Sequence, residues 1–550
     1  MKYDAAVVGG GMAGLTAAAY LVRSGLSVIL FEKDLEVGGL VRTFNRGGFV
    51  FDGGIRAVES SGIVLPMLAQ LGIDVDFIPS PVSIGLGRDI VRLGSRDSLG
   101  QYRDLLYRKF PDRKADIREI IHEILKVMDY MDVLYGIDNP LFLEFSKGSA
   151  ETLRGLVPWL FKYLATMPKI ARLRKPVDEY VAGFTQDRAL VDMVAQHFFQ
   201  KTPTYFALSY FSLYLDYRYP RGGTGALPRR LAQYIAERGG DIRVGTEIQR
   251  VDPGKRRITD KSGKEYGYGN LVWAADAASL VRAMESNPDK ASMGGKLKER
   301  IDKRAKSLEG MRGSDSILSI FLSSSLLPDY FANITSPHLF HTPSLRGLST
   351  NPLSSVRPHP GEKQGEAPAS RAAAKFIKDK NKLFHWVGTF LDLTTYEISI
   401  PSLRDPALSP PGKTGIIVST LFDRDLTKHI ESLGWYEELK EYAARKATSI
   451  LDETIFPGLS ASVQDTSVAT PLTLERMTGN LDGAITGWAF TNPSIPAETR
   501  LMRIAKAVET PIPGIFQAGQ WSFSPAGLPI SILTGKLAAD RIAKARKVKR

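Results

Sequence analysis

Asp4-Ala5-Ala6-Val7-Val8-Gly9-Gly10-Gly11-Met12-Ala13-Gly14 is the stretch on which the fold turns, together with the eighteen residues after it. Residues 4–8 form a short apolar run bounded by glycine, as in a strand buried on both faces of a parallel sheet. Leu15 to Ser24 is helical in composition and stops at Gly25, a residue suited to end a helix. Ser27-Val28-Ile29-Leu30-Phe31 then reads as a second strand and ends on Glu32, 18 residues after Gly14. Strand, glycine turn, helix, strand and acid in this order make a Rossmann-type dinucleotide unit. Gly9 permits the tight turn, Gly11 lets backbone amides approach a pyrophosphate, and Gly14 lets helix and strand pack closely. The helix start at Met12 and Ala13 presents its partial positive charge to the phosphates. Glu32 is placed to accept hydrogen bonds from ribose hydroxyls and disfavours a 2′-phosphate, so the expected ligand is FAD or NAD.

Composition bounds the rest. At roughly 150 residues per domain, a chain of 550 holds three or four folding units, or two large ones with an insertion. Hydrophobic residues at 43% and charged residues at 24% are those of a globular chain able to bury a core. No cysteine is present, which excludes disulfides, thiolate metal sites, cysteine nucleophiles and thioether-linked flavin. The 72 lysines and arginines exceed the 59 acids by 13, which favours anionic partners. The start lacks the pattern of a signal peptide and no run of 18 apolar residues occurs, so the expected location is cytoplasmic. The seven histidines show no ligand spacing, and no metal site is expected. The basic runs lack a nucleic-acid motif, so nucleic acid is not an expected partner.

Glu32-Lys33-Asp34-Leu35-Glu36-Val37-Gly38-Gly39-Leu40-Val41-Arg42 resembles the extended flavin motif of the amine oxidase and carotenoid desaturase superfamily. In that motif a glycine pair follows the ribose acid and an arginine lies just beyond. Here Leu40 stands directly after the pair and Arg42 two residues later. Phe51-Asp52-Gly53-Gly54 is similar to the family's turn beside the flavin, and Tyr219-Pro220-Arg221-Gly222-Gly223 resembles phytoene desaturases, carotenoid isomerases and retinol saturases. The resemblance implies FAD as cofactor, with the main chain of Ile248 against the adenine. It also implies that Gly519-Gln520 contacts ribityl or phosphate. Many relatives have aspartate where Gln520 stands. The helix start at Gly527-Leu528 would face the flavin's pyrimidine edge, where negative charge builds on reduction. Lys33, Gly38, Gly39, Arg42, Gly53 and Gly54 complete the expected cofactor set.

The expected fold is α/β: a Rossmann-type FAD-binding domain with an inserted α+β substrate domain of helices over a mixed sheet. The FAD-binding domain is discontinuous, from residues 1–84, 217–284 and 470–550. Residues 85–216 form a helical, substrate- and membrane-facing segment, and residues 285–469 supply the substrate-domain sheet. Ser316–Leu322, Lys382–Leu391, Tyr396–Ile400 and Gly415–Leu421 read as its strands. A proline-rich insertion at about 351–380 reads as mobile.

Nine aromatics fall between Phe198 and Tyr219, against about two expected from the overall 9%, and suggest either a lined tunnel or a packed helical core. Between Thr152 and Val177 stand six basic residues and no acid, interleaved with Trp159, Phe161 and aliphatics. That is the pattern of an amphipathic, interfacial membrane segment, with Pro158 and Pro168 breaking it into shorter pieces; a solvated basic face is the plainer alternative. The resemblance implies an FAD-dependent oxidoreductase acting on carbon–carbon bonds of a long hydrophobic, isoprenoid or carotenoid-like substrate: desaturation, saturation or flavin-assisted isomerisation. It would be peripheral on the inner face of the membrane, with quinone or oxygen as electron acceptor in the oxidative direction. The alternatives are an amine or protoporphyrinogen-type oxidase, or a non-catalytic prenyl-lipid escort on the same fold. No catalytic acid or base stands out; Glu475 and Arg476 are candidates only through the family segment in which they lie.

Overall fold

The computed structural model of the protein describes residues 2–135, 138–142, 149–287, 294–350 and 378–547. Its first sheet is built on the apolar run of the N-terminus. Ile515–Gln517, Glu265–Trp273, Lys2–Val8, Val28–Phe31 and Asp241–Arg243 run parallel in that spatial order. The strands Ile248–Asp252 and Arg257–Asp260 extend the sheet antiparallel along the first half of Glu265–Trp273. The helix Met12–Arg23 is buried at every residue from Met12 to Val22. Its small residues Ala17, Ala18 and Ala19 let the helices Ala226–Glu237 and Leu528–Lys547 pack closely over the same face. The opposite face is covered by the helix Ala277–Glu285, by Trp488 and Trp521, and by Ile301 and Leu308 of the helix Gly295–Leu308. The unit around the first sheet therefore extends beyond the expected boundary at 284.

A second, mixed sheet has the order Val463–Ala469, Ser316–Ser324, Thr414–Phe422, Tyr396–Ser399, His338–Thr342, Val82–Leu86 and Asp89–Leu93. Its neighbours are antiparallel except His338–Thr342 and Val82–Leu86, which are parallel. The expected division placed residues 82–84 with the flavin unit and 85–93 with the helices. Instead the two strands form a hairpin around Gly87 (φ 63°), whose apolar residues Val82, Leu86, Val91 and Leu93 cover the helical core. Lys382–Leu391 is a second correction: it lies in the helix Lys380–Leu393. Asp379 Oδ1 accepts from Lys382 N at 3.0 Å as an N-cap, and Leu383, Trp386, Val387, Phe390 and Leu391 are buried at helical spacing. Of the insertion expected at about 351–380, residues 351–377 lie outside the described residues, and Lys380 already belongs to the helix Lys380–Leu393.

Helices between 98 and 216 pack on the hairpin and enclose a separate apolar cluster. Among them Ser149–Arg172 runs without interruption through Pro158 and Pro168, where a break was expected. Trp159 Nε1 donates to Val133 O at 2.7 Å, and Thr166 and Ile170 are buried, so tertiary contacts hold the helix across both prolines. Among the described residues no helix is long and apolar enough to cross a membrane.

Candidate active site

The glycine turn closes on the sheet as its spacing requires. Gly9 has φ 105°, and a side chain there would begin 2.7 Å from Ala274 O; one on Gly14 would begin 1.9 Å from Gly9 O. Gly11, by contrast, has nothing within 4 Å of its missing Cβ, which leaves the turn's open side free for a ligand to come against the backbone. Glu32 Oε2 accepts from Gly10 N at 2.6 Å and Oε1 from Asp34 N at 2.9 Å. Burial pushes its carboxyl up, opposed by those two backbone hydrogen bonds.

A cavity of about 520 Å³ starts at this turn. Of the expected cofactor residues, Gly9, Gly11, Met12, Ala13, Glu32 and Lys33 line it at the strand–helix unit. Gly38, Gly39, Arg42, Gly54, Ile248, Gly519, Gln520, Gly527 and Leu528 line it as well, with Gly519 against Ala13 of the turn. Gly14 and Gly53 do not reach it. Gly14 sits against Gly9, and the missing side chain of Gly53 would begin 3.0 Å from the Arg42 side chain. Arg42 Nη1 is held by Asp34 Oδ2 at 2.6 Å, so its charge is partly spent inside the protein.

Asp52 ties the turn Gly53-Gly54, whose Gly54 lines the cavity, to the glycine turn around Thr224. Its Oδ2 accepts from the Tyr219 hydroxyl at 2.8 Å, and its Oδ1 from Thr224 N at 2.9 Å and Thr224 Oγ1 at 2.8 Å. Burial pushes the Asp52 carboxyl up, against these hydrogen bonds and the Arg56 charge. Arg56 Nη1 donates to the carbonyls of Asp52 and Gly54 at 2.5 and 2.6 Å, and Nη2 to Ser419 Oγ at 2.9 Å. Arg56 lines the cavity, and its buried Nε has no acceptor among the described residues.

Beyond the turns the cavity enters a chamber between the helical segment and the second sheet. Phe198, Phe199, Tyr210, Tyr214 and Tyr217 line it, five of the nine clustered aromatics, and Phe340 faces them from the sheet. His338 Nε2 lies 3.0 Å from Glu397 Oε1 on the chamber wall. Burial pushes the Glu397 carboxyl up, but the hydrogen bond from His338 and the charges of Arg56 and Arg404 oppose it, and the carboxyl lies below the usual range. Burial lowers His338 despite its carboxylate partner, so the pair is a neutral imidazole donating to a carboxylate. Glu59 is the other carboxyl on the wall. Its Oε1 lies 3.8 Å from where a side chain on Gly527 would begin, and burial pushes it up to about 7.

Glu475 and Arg476 are not at the cavity wall. Glu475 is held by Arg424 through two hydrogen bonds of 2.9 Å, and Arg476 pairs with Glu431. The residues missed by sequence reasoning, Glu397 and His338, carried one signal. Tyr396, Ile398 and Ile400 alternate into the core of the second sheet, which throws Glu397 to the other face, and that face is the chamber.

The residues present fit an FAD: a bare glycine turn, an acid at the end of the second strand, a helix start at Leu528 and an Arg56 donor without an acceptor. The comparisons agree. The family model described as flavin containing amine oxidoreductase matches residues 12–293. A chloroplastic prolycopene isomerase of Daucus carota is 24% identical over 98% of this chain and 80% of its own length. An all-trans-retinol 13,14-reductase of Homo sapiens is 25% identical over 48% of this chain and 44% of its own. Among solved structures, cyclohexylamine oxidase from Brevibacterium oxydans matches with a TM-score of 0.56 at 13% identity, over 100% of both chains. Putrescine oxidase bound to putrescine matches with a TM-score of 0.54 at 12% identity, again over 100% of both. By fold, by dinucleotide turn and by the family match across 12–293, this chain belongs to the flavin containing amine oxidoreductases and is an FAD-dependent oxidoreductase.

Proposed function

We propose that the chain acts on carbon–carbon bonds of a long hydrophobic, isoprenoid or carotenoid-like molecule, changing their saturation or geometry. The observation that carries this reading is the aromatic chamber continuous with the cofactor cleft, where Tyr210, Tyr214, Tyr217 and Phe340 surround the Glu397 carboxylate. The names of the prolycopene isomerase and retinol reductase relatives support the same substrate class. When bound, FAD supplies hydride transfer, for which the protein has no group of its own. The chain's residues do the rest. Aromatic walls exclude water and align a planar polyene. Ring faces and the Glu397 carboxylate together favour positive charge delocalised along such a chain. Glu59, with its carboxyl near 7, can hold or release a proton at the cofactor end of the chamber. The expected cofactor contacts are part of this proposal, with Glu32 on the ribose and Gly11 to Ala13 on the pyrophosphate.

The substrate would be drawn from a membrane surface. On the helix Ser149–Arg172, Val157, Leu160, Phe161 and Leu164 form one stripe with 47–71% of each residue exposed, flanked by exposed Lys162 and Lys169. An apolar stripe beside cations suits peripheral docking on anionic lipid, with a membrane quinone or oxygen as acceptor in the oxidative direction.

FAD-loaded protein incubated with prolycopene or all-trans-retinol in acidic liposomes, with and without prior reduction, tests the reading by chromatography of the extracted polyene. A product altered in double-bond number or geometry supports it. Unchanged polyene together with peroxide release from a primary amine would replace it with the amine oxidase alternative.

A further inference from the structure

A second hollow, of about 1020 Å³, lies on the far side of Trp521, which lines both it and the cofactor cavity. It is bounded by the helix Gly295–Leu308, the turn Leu501–Lys506, and the end of the strand Ile515–Gln517. Arg174 and Lys201 reach it from the helical segment.

Its lining is strongly biased towards hydrogen-bond donors. Six cations, Arg174, Lys201, Arg304, Arg500, Arg503 and Lys506, face two carboxylates, Glu498 and Glu509. Both carboxylates are engaged: Glu498 by Arg500 at 3.1 Å, by Arg503 at 3.4 Å and by the backbone N–H groups of Thr499 and Arg500, and Glu509 by Arg541 at 2.9 Å. Arg174, Lys201, Arg304 and Lys506 have no carboxylate partner among the described residues. Arg304 is largely enclosed, and burial lowers its guanidinium with no acid to oppose it.

Two buried side chains point to a ligand. Gln517 is 4% exposed, and its Oε1 accepts from Arg304 Nη2 at 3.2 Å, which fixes the amide so that Nε2 is the group left over. Gln517 Nε2 has no acceptor among the described residues, and neither does Trp521 Nε1, whose residue is 2% exposed. An indole N–H can only donate, and so can a guanidinium or an ammonium. A buried donor without an acceptor is destabilising. Unmet donors beside uncompensated cations are therefore the complement of a multi-oxygen anion.

We propose that this hollow binds a phosphate-type oxoanion, held by Arg304, Gln517 Nε2 and Trp521 Nε1, with Lys506 and Lys201 supplying the surrounding charge. The site does not rest on the polyene reading: of the residues proposed to hold the anion only Trp521 also lines the cofactor cavity, and it is not among the aromatics of the chamber. Its ligand is either a soluble phosphate compound or the headgroup of an acidic phospholipid, which share the chemistry that the donors recognise.

Calorimetric titration of the FAD-loaded protein with inorganic phosphate in low-salt buffer tests this, since the bound cofactor already fills the glycine turn. Saturable binding is expected. Gln517→Glu puts a carboxylate where the amide donor stood and beside Arg304, so the fold keeps a partner while the anion is repelled; about a hundredfold loss is expected. Lys506→Gln, on the surface, is expected to weaken binding about three- to tenfold with unchanged FAD content. Vesicles containing phosphatidic acid separate the two sources. Binding that phosphate competes away and Gln517→Glu abolishes assigns the headgroup, and vesicle binding indifferent to both assigns a soluble phosphate. Absence of saturable phosphate binding by the wild type, or equal affinity in both variants, overturns the site.

Discussion

His338 Nε2 and Glu397 Oε1 stand 3.0 Å apart on adjacent antiparallel strands, with Phe340 opposite Glu397 in the register. The imidazole fixes one carboxylate oxygen, and about a third of the Glu397 side chain remains open to the chamber. A held carboxylate among aromatic rings is worth most where positive charge develops. Glu397→Gln keeps the shape and a hydrogen-bonding partner for His338 but removes the charge. Turnover of the polyene is expected to fall about 10²–10³-fold, with FAD content unchanged. Single-turnover rates at matched flavin occupancy check this, and an undiminished rate would remove Glu397 from the reaction.

The two chamber carboxyls also separate in pH. Glu397 lies below the usual carboxylate range and stays charged at neutral pH, whereas Glu59 titrates near 7. A transition in rate near pH 7 is expected for the wild type and should disappear in Glu59→Gln. If the transition persists in that variant, it belongs to another group.

His341 is wholly buried, and burial pushes its imidazole down from the ordinary 6.5 to about 3. The folded protein therefore holds it neutral while the unfolded chain takes up a proton near 6.5. Its contribution is complete above that value and is lost as pH falls towards about 3. Between pH 6.5 and 4 the loss amounts to about 3 kcal/mol, at about 1.4 kcal/mol per pH unit. His341→Gln should lower stability at pH 7 but flatten its decline below pH 6.5, as urea unfolding at several pH values would reveal. An unchanged slope would mean that other groups govern acid unfolding.

Tyr219 and Asp52 hold two turns that lie far apart in the chain. Tyr219→Phe leaves Asp52 Oδ2 without its donor, at a cost of about 1–3 kcal/mol. Asp52→Asn in the same background should cost less than the sum of the single changes, because both remove one interaction. Strict additivity in denaturant unfolding would show that the hydroxyl and the carboxylate act independently.

These contrasts separate what the sequence discloses from what it withholds. The unit from Lys2 to Glu32 was legible because each requirement, tight turn, close packing and ribose acid, is met within about thirty neighbouring residues. The second sheet was less so. Val82–Leu86 lies beside His338–Thr342, more than 250 positions away, and nothing local marks that partner. Lys382–Leu391 misled because a run rich in aromatics and β-branched residues fits a strand as readily as a buried helix, and the Asp379 cap is a small signal. Glu397 was hidden for a different reason: alternation says which face a residue occupies but not whether water or a chamber lies there.

Glu32 carries the prediction for the cofactor. Its two oxygens already meet the Gly10 and Asp34 amides and still face the cleft, so removing the carboxylate loosens the turn and deletes a ribose acceptor at once. Glu32→Ala is expected to weaken FAD binding about 10- to 150-fold, corresponding to about 1.5–3 kcal/mol. Flavin fluorescence quenching on titrating the apoprotein measures it, and an unaltered affinity would place the ribose elsewhere.

The stripe on Ser149–Arg172 distinguishes two kinds of aromatic residue. Trp159 is turned inward and bonded to Val133 O, whereas Phe161 is 71% exposed, with Leu160 and Leu164 beside it. If this face meets lipid, burial of the exposed rings and chains supplies attraction that salt leaves intact, and Lys162 and Lys169 supply attraction that salt screens. Co-sedimentation with acidic vesicles should therefore weaken between low and high salt without vanishing. Replacing Phe161 and Leu164 together by serine should abolish the salt-resistant part at little cost in stability, since neither side chain is buried. Trp159→Ser should instead destabilise the fold, because it removes a hydrogen bond and a partly buried ring. A double variant that sediments as the wild type does at high salt would mean that the stripe does not touch the membrane.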